Sequence, residues 1–422
     1  MTTDFIRAAS CTDDYDPNSM PVDQARKYIR DYLTPVQTRE TIALRTSLGR
    51  VLAEDIISPV NVPNHDNSAM DGYAINADDI QPDGITTLRI AGTAFAGNAF
   101  VGQVQRGECV RIMTGAVMPP GCNTVVMQEH VQTEGTRISF GPGIKRGQNR
   151  RLAGEDLKQG QVVFPVGHRI KPADLGLIAS LGIGEIRVYR RLRVAFFSTG
   201  DELASIGQPL QQGQVYDSNR YTIHGMLERM GVEIIDMGVV RDDPKLLEQA
   251  LHEAAASADV ILTSGGVSVG EADYMKQLLN QLGQVVFWKV AMKPGRPLAY
   301  GKIGNAHYFG LPGNPVAVMV TFYQFVREAL LVLMGQPNPP PIPLLPAACT
   351  EALKKAPGRT EFQRGILFSD VDGLWKVRPI GNQSSGVLRS MSEANCFIVL
   401  PVSNSGVAAG EVVQVQILEG IV

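Results

Sequence analysis

Four stretches hold most of the side chains able to do chemistry. They read Ser198-Thr199-Gly200-Asp201-Glu202, Arg241-Asp242-Asp243-Pro244, Ser264-Gly265-Gly266-Val267-Ser268-Val269-Gly270-Glu271-Ala272-Asp273-Tyr274 and Gly310-Leu311-Pro312-Gly313-Asn314-Pro315. Each follows a short run suited to a strand, and in an open α/β sheet ligands bind just beyond the carboxyl ends of the strands. Asp201, Glu202, Asp242, Asp243, Glu271 and Asp273 would then crowd one edge. Two unit charges about 4 Å apart repel by roughly 4 kcal/mol at an effective dielectric near 20. A cation offsets that cost, and Mg²⁺ suits such a place because it takes one or two carboxylates together with phosphate oxygens and water. One of Asp242 and Asp243 also fits a helix cap before Pro244.

The glycines and serines of Ser264 to Gly270 (Ser264, Gly265, Gly266, Ser268, Gly270) can turn N–H groups and hydroxyls toward an anion, or simply make a tight turn. In Trp288-Lys289-Val290-Ala291-Met292-Lys293-Pro294-Gly295-Arg296-Pro297, strand alternation puts Lys289 and Lys293 on one face, where two ammonium groups would hold an oxyanion. Pro312, Gly313, Asn314 and Pro315 pin a turn before a helix. Farther upstream, Asn64 to Ala74, Arg111-Ile112-Met113-Thr114-Gly115 and Gly154-Glu155-Asp156-Leu157 add carboxylates and hydroxyls to loops. The six histidines form no H-x-x-H pair, and no Ser-His-Asp or Cys-His set emerges from spacing, so nucleophilic catalysis by a side chain is not indicated.

The elements that must position these groups follow from periodicity. Val22 to Leu33 has helical spacing, and a second helix is expected around Ser47 to Ile56. From Asn61 to about Arg150, short β-type pieces (Leu88–Ile90, Cys109–Ile112, Thr124–Gln128, Arg137–Ser139) alternate with glycine turns and predict a small inserted β domain. Pro172 to Leu181 is a further helix. Beyond Arg193, strands at Val194–Phe197, Val232–Asp236, Val260–Thr263, Val285–Val290, Leu298–Tyr300 and Tyr308–Phe309 alternate with helices at Asn219 to Met230, Pro244 to Ala256, Tyr274 to Leu282 and from Pro315. That alternation implies parallel strands and right-handed crossovers. Asn219 is a candidate cap and Gly231 a stop. The proline cluster at Pro337 to Pro341 reads as a stiff linker to a final β-rich domain.

Composition sets the outer limits. The chain has 422 residues, 44% of them hydrophobic, enough for several cores. With 39 basic and 42 acidic side chains there is no basic excess to suggest nucleic acid or an anionic membrane. Five scattered cysteines without a C-x-x-C pair argue for a reducing compartment, and a polar, acidic N-terminus does not resemble a signal peptide, so a cytoplasmic location is expected. The apolar stretch from Val316 to Met334 contains Gln324, Arg327 and Glu328 and reads as a buried or half-buried helix rather than a membrane span.

In this order the motifs resemble the molybdopterin molybdenumtransferase family, which acts last in molybdenum cofactor synthesis and whose eukaryotic relative is the C-terminal part of gephyrin. The resemblance runs from roughly Val22 to Leu418. It rests on Asn67 to Ala74, Arg111 to Gly115, Gly154 to Asp156, Ser198 to Leu203, Ser264 to Tyr274 and Gly310 to Pro315. It implies a multidomain α/β and β architecture: a discontinuous helical or extended domain (20–58 with 152–188), an inserted β domain (59–151), a three-layer α/β molybdopterin-binding domain with a parallel-type sheet (189–337) and a C-terminal β-barrel-like domain (338–422). It further implies a homodimer whose site joins the α/β domain of one subunit to the β domain of the other. The implied reaction inserts molybdate, as substrate, into adenylylated molybdopterin, cleaving the phosphate anhydride and releasing AMP with Mg²⁺. The molybdopterin adenylyltransferase and acceptor molybdoenzymes are the partners such a reaction implies, with neither nucleic acid nor membrane among them.

Carried over by position, the resemblance makes Asp201, Glu202, Asp242 and Asp273 the Mg²⁺ ligands and Lys289 and Lys293 the clamp on molybdate or phosphate. It places Asp71, Thr114 and Asp156 on the opposite wall. Substrate contacts fall to Ser198, Thr199, Gly200, Asp217, the Ser264–Gly270 loop and the Pro312–Pro315 turn, with Arg364 and Ser385 near the pterin end. Before Gly154 the family tends to carry basic residues, whereas here Leu152-Ala153 follow Arg150-Arg151, which removes support for anion binding there and leaves Glu155 and Asp156 untouched. The sister adenylyltransferase resembles the α/β domain alone, so the extra β domains and the Asp71 loop speak against it. A scaffold would need a lattice-forming module that this chain lacks, and a cofactor store would not need the acidic cluster.

Overall fold

The computed structural model describes residues 19–266 and 272–418. The described residues divide into two compact units, one formed by those within 19–40, 49–51 and 188–418 and the other by 41–48 and 52–187.

The larger unit is organised round a six-stranded sheet. Its strands are β1 (Arg193–Thr199), β2 (Glu233–Val240), β3 (Val260–Ser264), β4 (Gly283–Lys289), β5 (Pro297–Ile303) and β6 (Ala306–Leu311), in the order β2-β1-β3-β6-β5-β4. The expectation of parallel strands holds for four of them: β2, β1, β3 and β6 run parallel. Of the other two only β5 is reversed: it pairs antiparallel with both β6 and β4, so β4 at the edge again points the way of the four. Only Gly304 and Asn305 separate β5 from β6, too few residues for a crossover, and Gly304 takes a positive φ of 58°.

Along β1 the residues alternate between two cores. Val194 and Phe196 face one layer with α1 (Val22–Asp31), α2 (Ser218–Met230) and the long helix α5 (Pro315–Leu333). Ala195 and Phe197 face the other, with α3 (Pro244–Ser257) and α4 (Ala272–Leu282). A strand apolar on both faces is what a sheet sandwiched between helix layers requires, and the result is a three-layer domain. The apolar window of α5 is 89% buried inside the protein, as its three polar side chains led us to expect.

The same unit continues into five strands: β7 (Leu344–Cys349), β8 (Thr360–Ser369), β9 (Trp375–Pro379), β10 (Cys396–Leu400) and β11 (Val412–Ile417). Pairing runs β8-β9-β7-β11-β10 and returns from β10 to β8, closing a barrel with no free edge. Cys349, Val377, Cys396, Ile398 and Val415 fill it.

The second unit holds a six-stranded sheet in which Gly72–Ile75 lies between Thr124–Met127 and Glu108–Ile112, continuing through Thr86–Ala94 to Arg137–Phe140 and Gln132–Glu134. Three of the four strand segments read from the sequence lie within these elements; the fourth, Thr124–Gln128, runs one residue past its strand, since Gln128 opens a 3₁₀ turn. The helix expected around Ser47 to Ile56 is absent. That span follows a 3₁₀ turn (Leu44–Thr46), passes Gly49 at φ 75°, and ends in the short strand Ile56–Ile57. Val51, Leu52 and Ala53 are buried consecutively, and Leu52 and Ala53 donate to the distant carbonyls of His168 and Arg187 rather than to an i−4 partner. Three adjacent buried residues are no helical stripe.

Candidate active site

The carboxyl ends of the four parallel strands line up. Thr199 is in register with Val240, Ser198 with Ser264, and Ser264 with Leu311. The loops that leave them are tied together. Thr199 Oγ1 donates to Asp242 Oδ1 at 2.7 Å, and the Asp242 N–H reaches Asp201 Oδ1 at 3.4 Å. Gly265, at φ 94°, donates its N–H to Leu311 O at 3.2 Å. A Cβ there would sit 2.5 Å from Thr199 O, so the close approach of the two loops demands glycine. A Cβ on Gly200 would likewise lie 2.5 Å from the Glu202 carboxylate.

The pair Asp242–Asp243 divides its work. Asp243 caps α3, accepting from the N–H groups of Lys245 and Leu246 at 3.0 Å each, while Asp242 faces the loop of Asp201. The cap of α2 is Asp217, whose Oδ1 accepts from Arg220 N–H, and not Asn219. Asn219 has a different task that spacing alone did not reveal: its Nδ2 donates to Ser264 Oγ at 2.8 Å and to Gly313 O at 2.7 Å, bridging two of the site loops. Buried close by, Ser198 Oγ, Asp217 Oδ2 and Asn219 Oδ1 have no hydrogen-bond partner. Unsatisfied buried oxygens are costly and call for a ligand or water.

Ser268, Gly270 and Glu271 lie outside the described residues, as does the side chain of Asp273, whose backbone belongs to α4. Among the described residues no group of three His, Cys, Asp or Glu side chains is placed to hold a metal. Asp201 and Asp242, joined through the Asp242 main-chain N–H, are the described carboxylates that could offer oxygen donors to a hard cation.

Beside this edge is a cavity of about 450 Å³ lined by Lys293, Arg296, Pro312, Asn314, Gln383 and Ser385, among others. Lys289 is not in that lining. The expected alternation breaks because β4 ends at Lys289 and the chain crosses to the barrel, where Met292–Lys293 pairs with Thr360 and Glu361. Lys293 is half-exposed, 3.7 Å from the Glu361 carboxylate. Burial and the neighbouring Arg296 charge push the Lys289 ammonium below its ordinary pKa. Arg296 Nε is buried without a hydrogen-bond partner.

Arg364 stands behind the wall. It is 1% exposed, its Nε donates to Ser390 Oγ at 3.0 Å, and its Nη2 donates to the carbonyls of Asn382 (3.2 Å) and Ser384 (3.0 Å). Burial lowers its pKa to about 10. It therefore holds the loop that presents Ser385, with Gln383 buttressing the same loop through Arg364 N, Arg364 O and Ile380 O.

In the second unit, Asp71 and Thr114 do meet. Asp71 Oδ1 accepts from the Thr114 N–H and hydroxyl, each at 2.7 Å. These bonds, the backbone one first, hold the carboxyl below its usual range. Asp156 is exposed on a loop braced by Asp66, which pairs with Arg150 and accepts from Ala153 N–H at 2.8 Å. The Asp66–Arg150 brace was not read from the sequence, where the two are separated by 84 positions.

A three-layer α/β domain with acidic and glycine-rich loops at aligned strand ends, continued into a closed barrel, defines a class: multidomain molybdopterin-binding enzymes. Family models agree along the chain, with the MoeA N-terminal region (domains I and II) at residues 20–182, a probable molybdopterin-binding domain at 195–332 and the MoeA C-terminal region (domain IV) at 346–418. The chain is 47% identical to the molybdopterin molybdenumtransferase of Haemophilus influenzae, over 94% of this chain and 98% of that one. It is 36% identical to the enzyme of the same name from a Nostoc species, over 89% and 88%. A crystal structure of the molybdopterin biosynthesis moeA protein from Pyrococcus horikoshii superposes with a TM-score of 0.83 at 30% identity, over 94% of this chain and all of that one. The chain belongs to the molybdopterin molybdenumtransferase (MoeA) family of transferases.

Proposed function

We propose that the chain inserts molybdate into adenylylated molybdopterin, cleaving the phosphate anhydride and releasing AMP in a Mg²⁺-dependent step. The observation that carries this reading is the adjacency of two kinds of chemistry in one unit: linked carboxylates at Asp201 and Asp242, and a basic cavity at Lys293 and Arg296. An anhydride with its metal needs the first, and an oxyanion substrate needs the second.

Asp201, Glu202, Asp242 and Asp273 would hold Mg²⁺, which when bound neutralises charge on the phosphates and polarises the bond to be broken. The chain's own groups do the remainder. Ser264 brings its hydroxyl to the nucleotide phosphate, and Asn219 fixes Ser264 against the Gly313 turn. Lys293 and Arg296 face the molybdate, and Arg364 positions Ser385 on the other side of the cavity. Pro312 and Asn314 close it.

We further propose a homodimer in which Asp71, Thr114 and Asp156 complete the site of the second copy. The four-domain division given above and a cytoplasmic location belong to the same reading. The four described cysteines are unbridged, in keeping with a reducing compartment. The test is chromatographic detection of AMP from adenylylated molybdopterin. Release should require both Mg²⁺ and molybdate; release indifferent to molybdate would remove the transferase reading.

A further inference from the structure

Near the start of β8 lies a carboxylate that no step of the proposed reaction uses. Glu361 is 5% exposed, and a buried carboxylate is costly unless a cation and hydrogen bonds answer it. Its Oε2 accepts from Gln363 Nε2 at 2.9 Å. Its Oε1 faces Lys293 Nζ at 3.7 Å. Lys355 is close enough for the Glu361 charge to work against burial, which lowers the pKa of that ammonium. Its Nζ is engaged elsewhere, however, donating to the carbonyls of Ala356, Val402 and Asn404. Among the described residues, Lys293 is the ion-pair partner of Glu361.

Backbone pairing sets up this contact. Lys293 lies in parallel register with Glu361, and Met292 with Thr360, where the chain crosses from the α/β sheet to the barrel. Lys293 and Arg296 line the cavity at the strand ends, whereas Glu361 does not. The carboxylate therefore stands behind the ammonium rather than in the cavity. At 3.7 Å the pair is longer than a charge-assisted hydrogen bond, and the lysine side chain is 53% exposed. Its flexible stem lets such an ammonium turn from one oxygen partner to another.

We propose that Glu361 sets the affinity of the oxyanion site as an internal competitor for Lys293, holding the ammonium until an oxyanion draws it into the cavity. The inference rests on reading the Lys293–Arg296 cavity as the place of molybdate. Molybdate, sulfate and phosphate are all tetrahedral oxyanions that a purely basic cavity would take alike. Drawing Lys293 off Glu361 leaves a buried carboxylate with less compensation, so each of these anions binds more weakly than the two cations alone would allow. A bare anion is held loosely, and firm occupancy falls to one that gains further contacts, as molybdate does beside its co-substrate.

Calorimetric titration of the full chain with molybdate and with sulfate at low ionic strength tests it. Glu361→Gln removes the charge and keeps an acceptor for Gln363, and it should bind each anion more tightly than the wild type by roughly fivefold or more. In a Lys293→Met background the same change should lose most of that gain, which separates competition for Lys293 from a general effect of charge. A smaller gain, or none, in an otherwise wild-type chain that binds the anions would overturn the proposal and leave the oxyanion site in place. A gain of the same size without Lys293 would overturn it too. No saturable binding by either the wild type or Glu361→Gln would remove the oxyanion site itself, and the proposal with it. Because Glu361 is buried, a crystal of the wild type soaked in molybdate gives a test without substitution. With the anion bound, Lys293 Nζ should lie farther from Glu361 than 3.7 Å, and an ammonium that stays on Glu361 would overturn the proposal.

Discussion

Asp71 illustrates how a single carboxylate is prepared for work. It faces solvent, yet its Oδ1 takes both the N–H and the hydroxyl of Thr114, so one oxygen is fixed and the other is left to meet a partner. The two residues are 43 positions apart, and no spacing rule could have joined them. What joins them is the pairing of Gly72–Ile75 with the strand that ends at Ile112. Thr114→Val removes the hydroxyl and keeps the main-chain donor. The Asp71 carboxyl, followed by NMR, should then titrate at a higher pH than in the wild type but still below its ordinary value. A depressed carboxylate stabilises the fold above the unfolded pKa and loses that contribution as pH falls through the folded value. In the variant the loss begins at higher pH. An unchanged titration would show that the hydroxyl bond does not form in solution. Arg364 makes a different point: its matching family position suggests a substrate contact, and its Nε and Nη2 also hold Ser390 and two carbonyls, a structural task that only burial reveals.

Elements decide which of two adjacent acids caps and which faces the site. Asp243 accepts the first free N–H groups of α3, so Asp243→Ala should lower stability by about 1 kcal/mol in denaturant unfolding and leave chemistry largely intact. Asp242→Asn should do the reverse: little change in unfolding, with a large loss of turnover. If both variants lost stability alone, the metal-side role of Asp242 would fail. The strands and helices of the α/β domain were legible because their apolar runs are strong and their ends carry proline, aspartate or glycine. The Ser47 to Ile56 region misled because its apolar residues are buried through hydrogen bonds to distant segments rather than by a helical face. The reversed β5 was hidden for a similar reason: a buried strand shows the same residues whichever way it runs. A π-helical turn in α5, at Phe322–Val326, leaves no mark on the hydrophobic period at all.

At the scale of the whole molecule, the sequence indicated several domains and a β-rich end, and the motifs in order indicated the family. The barrel was expected only through the family resemblance; strand patterns alone do not show its closure, which depends on β8 pairing on both sides, with β9 and β10. Nor does one chain's sequence say where the Asp71 wall finds its site. If two copies complete each other, Asp71→Asn and Glu202→Gln, each inactive alone, should recover about a quarter of wild-type activity when assembled together. With random pairing, half the dimers are mixed and each of those carries one intact site. No recovery would place both residues in a site made by one chain.

The most direct measurement is molybdate-dependent AMP release from adenylylated molybdopterin by the wild type, Glu202→Gln and Asp273→Asn, each shown to be folded. The account predicts release by the wild type and a loss of roughly a hundredfold or more in both variants, the scale expected when charge stabilisation is removed from a developing leaving group. Variants that turn over as fast as the wild type, or a folded wild type that releases no AMP, would contradict it.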